Sequence, residues 1–491
     1  MIFGLSTIDV FLYFFSPLTL ISISLYVSRA REVTVDAFFF ANRDSHWLVL
    51  GMSFLATCIF SPYVFGLTAS GSASGLPIVY GIISAIMLVV LSWFLAPLYV
   101  RMGINTLPEY FEKRFNRACK FFLSALFILS NIFLRLLIVL VIGSVLIQTI
   151  SGVNAYSPVL FILIVTGIYV IVGGLKAEIS VNIVQVPLIA LGAVAFLVWI
   201  NARGNGINLA VQKIAFPPNF NAGANSEITL TGLMFGLPII GFWFWCADQV
   251  MVQKVLSIRN ISFARKATAV AGLLQIIPVL VCILPGMMIN PASQNKASVE
   301  TFHAIFSAGL LPESLREGLF IAVAAALMAS FAGIINSTSV LITFDFYRTL
   351  KPSASDRKLV LVGRLTTMIL VFCAISLIPI SQTMDFGLSL KLFKIFIYVA
   401  AMITAVFTTS LLSQKITSTG ALLTLCVGSG IISLKAILEM IFDDYHFGNN
   451  LLRWFAQSEF LDFSGFVFLL SVLFLFVFSG IGQTYSHFKE A

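Results

Sequence analysis

Arg135 lies in Asn131-Ile132-Phe133-Leu134-Arg135-Leu136-Leu137, well inside an apolar run where a charge is out of place. An ionisable group at membrane depth is costly and functional by default. A guanidinium stays charged and offers five donors, so Arg135 must face a cavity or a partner. It suits a carboxylate or a hydroxyl-rich ligand; the structural alternative is a buried acid, and Asp248 is available. Asp248 and Gln249 close the aromatic run Phe242-Trp243-Phe244-Trp245-Cys246-Ala247. Aromatics beside polar groups suit flat hydroxylated rings and gates, and also an interfacial belt. Gln275 lies inside another apolar run, where its amide needs a partner.

A different chemistry is written in the small-sided stretch Ala324, Ala325, Ala326, Ala329, Ser330, Ala332 and Gly333. Residues 326, 329, 330 and 333 share one helical face. Small residues allow close helix packing; the carbonyls and hydroxyl on that face can also coordinate a hard cation such as Na⁺. Enzymatic constellations are missing. His46, His303, His446 and His487 fall at run ends or in loops, and Cys58, Cys119, Cys246, Cys282, Cys373 and Cys426 show no metal-ligand spacing. The cysteines read as small hydrophobes. No G-x-x-x-x-G-K-S/T loop occurs, so ATP is not the energy source and no organic cofactor is expected.

The elements that hold these residues must cross lipid. Of 491 residues, 59% are hydrophobic and 10% charged, and the mean hydropathy is +1.01. Soluble domains run at about 25% charged residues, so a water-soluble enzyme is excluded. The net charge of +8 is read as basic loops rather than a nucleic-acid surface. Apolar windows about 20 residues long, the length that crosses hydrocarbon, fall at 7–28, 46–70, 76–100, 121–150, 157–174, 181–201, 229–252, 267–290, 318–346, 359–382, 387–412, 417–440 and 463–484. Backbone groups in lipid must be satisfied internally, so these windows are helices: an all-α polytopic membrane protein of about 13 spans. The first window lacks a basic n-region and reads as a retained helix.

Charge distribution sets the orientation. With the N-terminus outside, the inner loops hold most of the 29 basic residues, including Arg29, Arg31, Arg101, Lys113, Lys254, Arg259, Arg348 and Lys358. The outer loops hold Arg203, Lys213, Lys296, Arg316 and Arg453. The positive-inside rule therefore gives N-out, C-in, in a bacterial inner membrane. Windows 46–70 and 229–252 carry helix breakers, Ser61-Pro62 with Gly66 in one and Gly236, Pro238 and Gly241 in the other. They lie five spans apart, hence inverted. Paired broken helices in inverted repeats point to a midplane binding site.

At these residues the chain resembles the sodium:solute symporter family. Phe244-Trp245-Cys246-Ala247-Asp248-Gln249-Val250-Met251-Val252-Gln253 is similar to a motif of its sugar and inositol branch. Gly173-Gly174-Leu175-Lys176-Ala177 with Val184-Gln185, Thr106-Leu107-Pro108-Glu109-Tyr110-Phe111-Glu112-Lys113-Arg114-Phe115, and Asn336-Ser337-Thr338-Ser339 with Thr343-Phe344-Asp345-Phe346-Tyr347 resemble three more. The resemblance implies a leucine-transporter-type 5+5 inverted repeat. It places the extra N-terminal helix and a loop at 1–45, the ten-helix core at 46–412, and two further helices at 413–491.

Carried over, the family's sodium ligands fall on Ala56, Ile59, Ala326, Ala329 and Ser330. The family usually has hydroxyl residues at both of the last two positions, so Ala329 removes one ligand. Its common acid near the fifth core helix falls on Asn182, and serines of a second sodium site fall on Ala332 and Gly333, which argues against that site. In the family Arg135 falls on a substrate-facing position, where sugar carriers often have Asn or Lys and sialic-acid carriers have Arg. The expected solute and gate contacts are Ser61, Tyr63, Arg135, Asp248, Gln249 and Gln275. The reading is a symporter that moves a small polar solute, a sugar or polyol, inward with Na⁺. The alternative is an anionic solute such as sialic acid, with H⁺ coupling or none.

Overall fold

A computed structural model of the chain describes residues 34–59, 76–202, 229–278, 311–441 and 458–490, apart from 153 and 385, with positions 18, 19, 22, 26 and 455 also placed. Helix α1 (Val35–Phe40) forms where a loop is expected. Thr34 caps it by accepting from the Ala37 amide, and Phe38, Phe39 and Phe40 are buried. Three left-handed residues follow, Ala41, Asn42 and Arg43, with φ of 49°, 59° and 56°. Such backbone costs energy in non-glycine residues and persists only where neighbours fix it. Here Arg43 bonds Asp36 at 3.0 Å and Asn105 at 3.1 Å.

Helices α2 (Trp47–Cys58) and α3 (Gly81–Met102) precede α4 (Leu107–Arg114), which is too short to span. Then come α5 (Arg117–Ser151), α6 (Tyr156–Ala202), and the pair α7 (Gly232–Ala247) and α8 (Gln249–Leu256), bent by 40° at their junction. The remaining elements are α9 (Ile261–Leu274), α10 (Glu313–Arg348), α11 (Asp356–Thr383), α12 (Leu388–Leu412), α13 (Ser418–Glu439) and α14 (Phe460–Ile481). Each expected window from 46 onward holds helix. The window 7–28 lies almost wholly outside the described residues. Among those residues eight helices are long and apolar enough to cross a membrane, or nine counting the bent pair.

Helix α6 has 47 residues. Straight, it would run about 70 Å, twice the hydrocarbon thickness. Gly174, with φ 56° and ψ −143°, folds it into the two expected spans. A β-carbon there would collide with the Phe38 carbonyl. Gly173-Gly174 is thus a hinge that lets α1 lie against the turn.

The α7 break is not where the sequence places it. Gly236, Pro238 and Gly241 all lie within helix, and the bend falls at Asp248, with φ −70° and ψ 130°. Pro238 is tolerated because it sits in the first turn after the wide π-helical turn Gly232–Gly236. Gly236 serves packing: a side chain there would strike the Leu461 backbone of α14.

The core gathers around α10, the most enclosed span, which packs on α2, α5, α6 and α11. Trp93, Phe94, Leu191, Phe372 and Leu469 are exposed on the outer spans, as a lipid-facing surface requires.

Candidate transport site

Two wide turns set the central pair. Arg135 lies in a π-helical turn of α5, Ser130–Leu136, and Asp248 follows another, Trp243–Ala247. Such turns leave the regular hydrogen-bond ladder and commonly mark functional positions. Arg135 Nη1 donates to Asp248 Oδ2 at 2.5 Å, and both side chains are buried. Asp248 Oδ1 also accepts from the Val250 amide at 3.1 Å and so caps α8. The helix N-terminus and the guanidinium thus meet the same side chain, one at each carboxyl oxygen. The Phe244 ring lies 5.7 Å from the guanidinium carbon, and Trp243 stacks on Phe127. One turn before Arg135, Asn131 donates to Thr338 of α10 at 3.0 Å. Tyr99 of α3 donates to the Cys246 carbonyl at 2.6 Å, fixing the chain just ahead of the bend.

The second centre is where α2 stops. Helical hydrogen bonding ends at Cys58, and Ile59 follows. The last carbonyls of a helix have no partner inside it, and its C-terminus carries partial negative charge. Ser330 of α10 points its hydroxyl at the Thr57 carbonyl, 3.4 Å away. Ala56 and Ile59 at this end of α2, and Ala326 and Ala329 on α10, are all buried. A β-carbon on Gly333 would strike Thr57, so this glycine permits the approach of α10 to α2. The contact brings a hydroxyl and a backbone carbonyl together between α2 and α10, oxygens of the kind that hard cations take as ligands.

Other expected contacts are placed differently. Gln249 Oε1 accepts from the Leu107 amide at 2.8 Å and so caps α4. Gln275 ends α9, buried, and its Nε2 has no partner among the described residues. Ser61 and Tyr63 lie outside the described residues. The recognised motifs converge on α4: Thr106 donates to Asp345 at 2.6 Å, and Ser124 of α5 donates to it at 2.7 Å. These motifs are structural ties at one end of α10.

A third centre went unforeseen. Lys254, expected in a basic loop, is buried and pairs with Glu178 of α6 at 2.9 Å. Its only sequence signal was Glu178 itself, an acid in the middle of an apolar stretch of α6.

Residues 38–428 match the Sodium:solute symporter family. The chain belongs to that family. Sodium/glucose cotransporter 4 of Danio rerio is 30% identical over 471 residues, covering 87% of this chain and 71% of the relative. Sodium/myo-inositol cotransporter 2 of Sus scrofa is 29% identical, covering 84% and 67%. Among solved structures, the substrate-bound outward-open state of a Na⁺-coupled sialic acid symporter superposes with a TM-score of 0.78 at 18% identity, covering 97% of this chain and 98% of that one. The symporter fold of this chain is therefore of leucine-transporter type, and the protein is an integral membrane transporter-family member.

Proposed function

We propose that this symporter imports a small neutral polyhydroxylated solute, a sugar or polyol, driven by Na⁺ entering down its gradient. The observation that carries the substrate class is the Arg135–Asp248 pair. The Arg135 guanidinium beside the bend already has a buried carboxylate partner, so the pair offers hydrogen-bonding groups and aromatic walls without net charge. Neutral hydroxyls suit that environment, whereas an anion would have to displace Asp248 and leave a carboxylate stranded in the interior. The sugar and inositol relatives support the same class.

Sodium enters the reading through the α2 terminus. Ala56 and Ile59 carbonyls, the Ser330 hydroxyl and the Ala326–Ala329 face of α10 form the proposed cation site. Ion and solute bind near the midplane, and the core around residues 46–412 rocks to expose them to the opposite side. The helices beyond 412 stand outside that core, and the N-out, C-in arrangement in a bacterial inner membrane completes the proposal.

The test is uptake into proteoliposomes of labelled hexoses, inositol, sialic acid and short carboxylates, with and without an inward Na⁺ gradient. Gradient-stimulated uptake of a neutral solute is expected. Preferential uptake of an acid would overturn the substrate class, and uptake indifferent to Na⁺ replacement would overturn the coupling.

A further inference from the structure

Lys254 Nζ donates to the Ser53 carbonyl at 2.7 Å, to Ser53 Oγ at 2.8 Å and to Thr57 Oγ1, and it pairs with Glu178 Oε1 at 2.9 Å. These are four oxygens around one positive charge, the surroundings a free cation would seek. Lysine and glutamate are 1% and 0% exposed, so bulk salt does not screen them. The far carboxylate oxygen of Glu178 accepts from Asn336 of α10 at 2.6 Å, and Asn182 donates to Ser53 Oγ at 2.8 Å.

Thr57 belongs to both arrangements. Its hydroxyl oxygen accepts a hydrogen bond from the ammonium, while its carbonyl accepts from the Ser330 hydroxyl. The lysine cage and the proposed Na⁺ site therefore occupy successive oxygens of the same turn of α2.

We propose that Lys254 is a tethered cation whose balance with Glu178 sets the Na⁺ affinity of the neighbouring site. This inference rests on the Na⁺ reading given above. A charge within a turn or two of the ion in a dry interior acts strongly on it. With both partners present their effects nearly cancel. Removing the lysine leaves an unbalanced carboxylate that attracts Na⁺; removing the glutamate leaves an unbalanced ammonium that repels it.

The experiment measures the half-saturating Na⁺ concentration for solute uptake in proteoliposomes, for the wild type and four variants. Lys254→Met should lower it about fivefold or more, and Glu178→Gln should raise it by a similar factor. The double variant Lys254→Met/Glu178→Gln should return close to wild type. Asn182→Asp leaves both Lys254 and Glu178 in place and adds one excess carboxylate beside the lysine-bound Ser53, and should lower the value. It keeps the test open if a single variant does not assemble. A purely structural pair predicts shifts of the same sign for both single variants and none for Asn182→Asp; that result overturns the inference while wild-type Na⁺ dependence leaves the transport reading standing. A wild type indifferent to Na⁺ overturns both.

Discussion

Ser330 supplies the side-chain oxygen that α10 turns toward the end of α2. Where two hydroxyls would share the work, Ala329 leaves it one, so its loss should be felt fully. Ser330→Ala should raise the half-saturating Na⁺ concentration about five- to tenfold, the effect of about 1 kcal/mol for one lost polar contact, measured by uptake across a Na⁺ series. An unchanged value would move the ion elsewhere. The Arg135–Asp248 pair makes a second residue-scale prediction. Asp248→Asn removes the counter-charge while keeping the shape, so the guanidinium becomes free to take an anion. Uptake of the neutral solute should fall at least tenfold, and short carboxylates should become inhibitors where they were inert. Loss of uptake with no gain of carboxylate sensitivity would mean that the pair only holds α5 to α8.

At the scale of elements, close approaches are fixed by glycines, and these differ sharply in what they tolerate. Gly174→Ala would force a side chain into the left-handed region and onto the Phe38 carbonyl. It should cost about 3 kcal/mol or more, of which about 1–2 is the conformation alone. Gly430 lies in α13 with open space around it, and Gly430→Ala should stabilise by about 0.5–1 kcal/mol. Thermal unfolding in one detergent decides both; equal melting temperatures for the two variants would refute the hinge.

The same elements indicate what the sequence makes legible. Spans are legible because lipid demands continuous apolar length, and Gly173-Gly174 stands out because the turn needs glycine at its second position. The bend at Asp248 is hidden behind stronger-looking breakers: Gly236 and Pro238 have packing and first-turn reasons to be there, while an aspartate cap inside an aromatic run gives no breaker signal. The Arg135 partner is legible because a buried guanidinium needs an acid and few are at hand. Lys254 is not, since in sequence it adjoins Arg259, Arg265 and Lys266 and reads as one more loop base.

Beyond the core helices, Glu459 begins α14 with a carboxyl that burial pushes up from the ordinary 4.5 to about 7, although the amides of Leu461 and Asp462 favour its charged form. The folded protein holds this proton more tightly than the unfolded chain. Its stabilising effect is therefore complete below the ordinary carboxylate value and fades as pH rises through about 7. Melting temperature should fall between pH 5 and 8, and Glu459→Gln should flatten that dependence; a variant curve parallel to the wild type would exclude Glu459 as the cause.

Over the whole molecule, the charge carried per cycle separates the two substrate classes. If one Na⁺ travels with a neutral solute past a compensated Arg135–Asp248 pair, each turnover moves one positive charge inward. A membrane potential of 100 mV, negative inside, then adds about 2.3 kcal/mol to the driving force, about a fiftyfold greater accumulation. If one Na⁺ travels with a monoanion, the charges cancel and the potential contributes nothing. The Lys254–Glu178 pair does not alter this sum, because both members remain bound to the protein throughout. Uptake into proteoliposomes with equal Na⁺ on both sides, and a K⁺ gradient made electrical by valinomycin, isolates the effect. Strong stimulation by an inside-negative potential is expected. Uptake that ignores the potential while still requiring Na⁺ would identify an electroneutral cycle, and Asp248 would then have to yield Arg135 to an anionic solute during transport.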